Sequence, residues 1–92
     1  MKKLTILIAM LIAFGGYSKE APLNQLVERN GLNYEINSQT PFTGSAVFYH
    51  DNGQLKYKWN YKDGEEDGLH VWYLENGQLQ FKTNYKNGEE ID

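Results

Sequence analysis

The sequence predicts an all-β protein in which antiparallel β-hairpin repeats form a meander sheet, preceded by a helical signal segment. Three observations lead there. The chain writes one phrase twice, each copy carries an Asn-Gly turn signal, and the residues after each turn alternate between one face and the other. A period of two belongs to a strand covered on one face, whereas a helix would need 3.6.

The N-terminal segment stands apart from this pattern. Lys2 and Lys3 precede the apolar run LTILIAMLIAF (Leu4 to Phe14), and the small residues of GGYS follow it. That is the order of a secretory signal peptide. The run is short of the roughly 20 residues a membrane-spanning helix needs. Gly16 and Ser18 suit the two small positions of a cleavage site, so residues 1–18 read as a signal peptide and the mature chain starts at Lys19. Export to the periplasm, the cell envelope or the medium follows. Tyr17 stands where a bacterial lipoprotein signal would carry Cys, which rules out acylation by that route. Only an uncleaved signal segment would hold the protein to a membrane.

From Lys19 the chain has seven Lys and Arg against twelve Asp and Glu, a net charge of −5. Phosphate binding requires clustered positive charge, so nucleic acid is not an expected partner. The chain contains no cysteine. With no disulfide available, a domain this small depends on burial, hydrogen bonding or association.

Residues 19–25 (KEAPLNQ) read as a linker or one short turn. Residues 26–43 read as a degenerate first hairpin and loop. There LVERNGLNYEI is strand, Asn-Gly turn and strand, with Leu32, Tyr34 and Ile36 alternating, and Pro41 suits the loop that follows. Repeat 1 spans 44–67 and repeat 2 spans 68–92. Aligned without a gap from Gly44 and Gly68, fourteen of twenty-four positions are identical. In each copy Asn-Gly (Asn52-Gly53, Asn76-Gly77) predicts a tight turn with both residues at positive φ. Leu55, Tyr57, Trp59 and Tyr61 then point one way and Lys56, Lys58, Asn60 and Lys62 the other; Leu79, Phe81, Thr83 and Tyr85 repeat the pattern. The preceding strands, SAVFYH and LHVWYL, are apolar at successive positions, so alternation does not name their inward face. The recurrence of Val and Tyr favours Val47 and Tyr49 over Ala46 and Phe48. KDGEEDG returns the chain to the second copy. Three hairpins, about six antiparallel strands, are expected to pair edge to edge, and the last strand is expected to leave an open edge.

The phrase FTGSAVFYHDNGQLKYKWNYKDGEEDGLHVWYLENGQLQFKTNYKNGEE resembles the bacterial variant of MORN repeats, whose members carry tandem NGQL and Tyr-Lys-Asn-Gly phrases. RNGLNYEINSQTPFTG is similar to a common lead-in of such proteins. Many of them are described as YwqK-like antitoxin components of toxin–antitoxin systems. The resemblance covers about Asn30 to Glu90. It implies a sheet-like solenoid of hairpins and brings no catalytic residues with it.

The residues themselves point to no chemistry. His50 and His70 occupy non-equivalent repeat positions, with no Cys and no HExxH spacing, so no metal site is expected. DGEED (Asp63 to Asp67) lacks the alternating ligands of a calcium loop. Ser18, Ser38 and Ser45 have no triad signature, and the glycines follow the repeat rather than a nucleotide-binding pattern. No enzyme and no cofactor is expected. The aromatic stripe Tyr34, Tyr57, Trp59, Tyr61, Phe81 and Tyr85 is expected to share one face. It serves either as core or as an exposed surface for a partner.

The resulting expectation is a small exported interaction module without catalytic activity. It would bind a protein partner through its face, or a second copy through its open edge. The alternatives are an antitoxin or immunity-like component of a toxin–antitoxin system, and a cell-envelope carbohydrate or membrane-associated binding protein.

Overall fold

The computed structural model describes residues 19–91, so the expected signal segment lies outside the described residues. Eight strands form two sheets: β1 (Glu20–Pro22), β2 (Leu26–Arg29), β3 (Leu32–Glu35), β4 (Gly44–Tyr49), β5 (Leu55–Lys62), β6 (Glu65–Tyr73), β7 (Leu79–Lys86) and β8 (Glu89–Glu90). The main sheet has the order β1-β4-β5-β6-β7-β8, and β2-β3 is a separate pair. From β4 onward every pairing is antiparallel, which is the expected meander of hairpin repeats.

The N-terminal part departs from expectation. Residues 19–25, read as a linker or one short turn, hold a strand as well as a turn: β1 pairs in parallel with β4, and a 3-10 turn (Leu23–Gln25) follows. The Ser45 amide donates to the Lys19 carbonyl at 2.8 Å, closing the outer edge of β4. The first hairpin therefore cannot extend the meander. It folds over one face of the sheet instead, and backbone bonds hold it there. Asn33 N–H donates to Gly64, Gly64 N–H to Phe42 and Phe42 N–H to Asn33, at 2.8, 2.8 and 2.9 Å. Beneath it lies the small core of Ala21, Phe42, Ala46 and Tyr61, with Leu23, Leu26 and Trp59 against it.

The turns also divide differently from the sequence reading. The two-residue turns with both φ positive are Asn30-Gly31, Asp63-Gly64 and Asn87-Gly88. At Asn52-Gly53 and Asn76-Gly77 only the glycine is left-handed, with φ of 90° and 91°. There the Gly53 amide returns to the His50 carbonyl at 2.9 Å, and Asn52 Oδ1 accepts the Gln54 amide at 2.9 Å. This is a three-residue loop closed by a glycine bulge, and a separate register shift follows in the strands, where Lys56 is the extra residue opposite the step from Phe48 to Tyr49. The asparagine is selected for its side-chain acceptor, not for a left-handed backbone.

Candidate functional site

Residues directly opposite each other on paired strands share a face, so the register assigns every side chain. One row crosses five strands as Ala21, Ala46, Trp59, His70 and Thr83. The next crosses four strands as Phe48, Tyr57, Trp72 and Phe81. On the other side of the first row lie Tyr61 opposite Glu66, and Tyr85 between Gly68 and Glu90. The opposite face carries the row Val47, Lys58, Val71 and Lys82. Its lysine stems lie beside two buried valines, and Lys58 pairs with Glu20 at 3.2 Å.

The register corrects the expected inward face of the first strand. Ala46 and Phe48 lie with the aromatic stripe, and Tyr49 is 52 % exposed. Recurrence of Val47 and Val71 reflects the lysine-bearing face. Of the six expected stripe residues, Tyr57, Trp59, Tyr61, Phe81 and Tyr85 do share one face. Tyr34 does not, because it belongs to the separate β2-β3 pair, where the Arg29 guanidinium lies 4.1 Å from its ring centroid. Tyr61 is core, only 5 % exposed and edge-on to Phe42 at 5.8 Å. Phe48, Trp72 and His70 were missed, because SAVFYH and LHVWYL show no clean alternation of apolar and polar residues. The like-for-like aromatic pair Phe48/Trp72 in the repeat alignment was the available signal.

The two ends of the face differ. The N-terminal hairpin and 3-10 turn cover the end near Ala46 and Tyr61. The row Phe48-Tyr57-Trp72-Phe81 is uncovered among the described residues: Phe48 is 39 % and Phe81 53 % exposed, with Tyr57 and Trp72 half-buried. Ring centroids along it are 5.9, 6.3 and 5.1 Å apart, so the four rings form one continuous strip. Trp59 ties the strip to the covered row, 5.2 Å from Tyr57 and 5.7 Å from Trp72. Lys56 sits over Phe48 and Tyr57 at 5.8 and 5.3 Å.

Among the described residues His70 is the largest fully buried side chain, 1 % exposed, and neither ring nitrogen meets a partner in full hydrogen-bond geometry. It lies against Tyr85 at 4.4 Å, Trp59 at 5.8 Å and Tyr61 at 6.0 Å. Burial pushes its pKa down, and the neighbouring Gly68 and Leu69 backbone opposes this only in part. The Tyr61 hydroxyl is pushed up to about 12, by burial first and then by Glu66 and Tyr85. Glu66 is raised by burial and by the like charge of Glu28, which brings the β2-β3 hairpin's carboxylate near this corner.

The repeats are coupled at their loops. His50 Nε2 donates to the Tyr73 carbonyl at 2.8 Å, and Asn52 Nδ2 donates to the Glu75 carbonyl at 2.9 Å. The equivalent amide of Asn76 reaches only Gln78 of its own loop, at 3.4 Å. No three His, Asp or Glu side chains gather to hold a metal among the described residues. What the face offers is apolar and aromatic surface.

Two stacked β-hairpins of this pattern, their strips aligned across one sheet, define a repeat protein. Residues 42–63 and 66–87 each match the MORN repeat variant, so these two units are MORN-variant repeats. The matched units begin at Phe42 and Glu66, two residues before each of the boundaries read by alignment from Gly44 and Gly68. Repeats of this family are generally non-catalytic binding modules. No curated protein and no solved structure matches the chain.

Proposed function

We propose that this protein is an exported, non-catalytic module that docks a protein partner on the strip Phe48-Tyr57-Trp72-Phe81. The observation that carries this is the contrast between the two ends of one face: the N-terminal hairpin covers one, and the aromatic strip is uncovered among the described residues. Aromatic side chains suit such a surface because they bury much area at low entropic cost. Export rests on the Leu4–Phe14 run with its flanking lysines and small residues. The family resemblance alone supports the antitoxin-like reading, and in that reading the same strip would mask a toxin.

The test is affinity capture of cross-linked partner from the compartment that holds the native protein, with Trp72→Ala compared with wild type. Trp72 is half-exposed, so the variant should lose capture while its melting temperature falls by only a few degrees. Equal loss of fold and capture would make the strip ordinary core. Cell fractionation with N-terminal sequencing tests export: a product retained in the cytoplasm with Met1 in place would sink it and favour the antitoxin-like reading.

A further inference from the structure

Four Asn-Gly pairs punctuate the chain: Asn30-Gly31, Asn52-Gly53, Asn76-Gly77 and Asn87-Gly88. Asparagine is chemically labile, and most so before glycine, which has no Cβ to hinder attack of its amide nitrogen on the asparagine side chain. All eight residues are exposed, so neither local sequence nor access of water ranks the four pairs. Hydrogen bonding does. A glycine amide that already donates must be released before its nitrogen can attack, and a held side chain must be released before it can turn.

Three of the four glycine amides are held. Gly53 donates to the His50 carbonyl, Gly77 to the Leu74 carbonyl and Gly88 to the Glu66 carbonyl, each at 2.9 Å. Two of the asparagine side chains are held as well. Asn52 accepts from the Gln54 amide and donates to the Glu75 carbonyl, both at 2.9 Å. Asn76 accepts from the Gln78 amide at 2.9 Å and donates to the Gln78 side chain at 3.4 Å. At Asn30-Gly31 neither the glycine amide nor the asparagine side chain has a partner among the described residues. The closest comparison is Asn87-Gly88, whose turn has the same backbone, with φ of 52° and 85° against 53° and 83°. There the Gly88 bond to Glu66 repeats that of Gly64 to Phe42, and the N-terminal hairpin has no equivalent.

We propose that Asn30 is a site of spontaneous covalent modification, the first of the four asparagines to deamidate in the folded chain. The Gly31 N–H gives its proton to hydroxide, and the nitrogen forms a bond to Asn30 Cγ. Ammonia leaves, and a five-membered cyclic imide remains. Water then opens the imide at either carbonyl, with no oxidation or reduction at any step. Cleavage of the new N–Cγ bond gives aspartate. Cleavage of the original peptide bond gives isoaspartate, in which the main chain runs through the side-chain carbons. The fold accepts the first product, because Asp63-Gly64 already builds the same turn with φ of 51° and 85°. It does not accept the second. An extra backbone carbon has no place in a two-residue turn that sets Arg29 opposite Leu32. The isoaspartyl chain therefore loosens the hairpin that covers the Ala46 and Tyr61 end of the aromatic face.

The test is timed incubation of the full chain at mildly alkaline pH, with peptide mapping by mass spectrometry at intervals and a parallel incubation in concentrated urea. In the folded chain the Asn30 peptide should convert about two- to tenfold faster than the Asn87 peptide, since one hydrogen bond separates them. Asn76 and Asn52 should be slower still. In urea the four rates should converge, because the bonds that rank them are gone. Equal rates at Asn30 and Asn87 in the folded chain, or the same ranking in urea as in the fold, overturns the proposal. The two products are then separated and melted. The aspartyl form should melt with the unmodified chain and the isoaspartyl form below it, and equal melting of the two would overturn the consequence for the hairpin.

Discussion

Gly64 and Gly88 occupy the same repeat position, in turns with the same backbone: φ is 85° at both, preceded by Asp63 at 51° and Asn87 at 52°. An alanine at either position meets the left-handed penalty for an L-residue, about 1–2 kcal/mol, and reduces the freedom of the unfolded chain equally. Only Gly64 lies under the N-terminal hairpin. A Cβ there would stand 3.0 Å from Leu32 Cβ, 3.1 Å from Pro41 Cβ and 3.2 Å from the Asn33 carbonyl oxygen. At Gly88 the nearest atom is Glu65 Oε2 at 4.0 Å. Those three neighbours of Gly64 are two main-branch carbons and a backbone oxygen, which cannot swing aside. Overpacking of this kind adds about 1–3 kcal/mol. Gly88→Ala should therefore lose about 1–2 kcal/mol and Gly64→Ala about 2–5 kcal/mol. In a domain of this size each kcal/mol is worth about 4–8 °C of melting temperature, so urea and thermal unfolding followed by tryptophan fluorescence will resolve the gap. Equal losses, or a larger loss at Gly88, would refute the docking of the hairpin on the first repeat.

The loop amides give a second paired comparison. Asn52→Ala removes a bond to the next repeat and Asn76→Ala removes one within its own loop. Urea unfolding should therefore show Asn52→Ala costing about 0.5–1.5 kcal/mol more, and equal costs would deny the inter-repeat bond a role. His70 sets a pH dependence. Its folded pKa is below the ordinary 6.5, so its contribution is full above 6.5 and is lost as pH falls through the lowered value. Glu66 has the opposite sign: raised above 4.5, it favours folding below that value and loses this as pH rises through the folded pKa. Melting temperature against pH should fall below pH 6.5 in wild type and flatten there in His70→Phe. An unchanged slope would assign the acid sensitivity elsewhere.

The two repeats were legible because alternation and turn residues act locally. Leu55 to Tyr61 could hardly be anything but a strand with one apolar face, and the match with Leu79 to Tyr85 fixed the period. What could not be read depended on contacts distant in sequence. Nothing in KEAPLNQ announces a strand; β1 exists because β4 has an outer edge to close. The inward face of SAVFYH was hidden because both of its faces are buried in part, one by the core and the other by lysine stems. Tyr34 matched the stripe in spacing but lay in a hairpin that left the sheet.

Two nearly identical repeats risk pairing in the wrong order, since most of β5 and β7 offer the same partners. The row through Ala46, Trp59, His70 and Thr83 holds the remedy, because the copies differ there most in size: alanine against histidine, and tryptophan against threonine. Were β4 to choose β7 over β5, Ala46 would face Thr83, and the space that Trp59 fills beside the core would stand empty. A cavity the size of an indole costs about 3–5 kcal/mol, comparable to the whole stability of so small a domain. Divergence between the copies at that row thus acts as an address for each strand. It lets a repetitive chain find a single order of assembly.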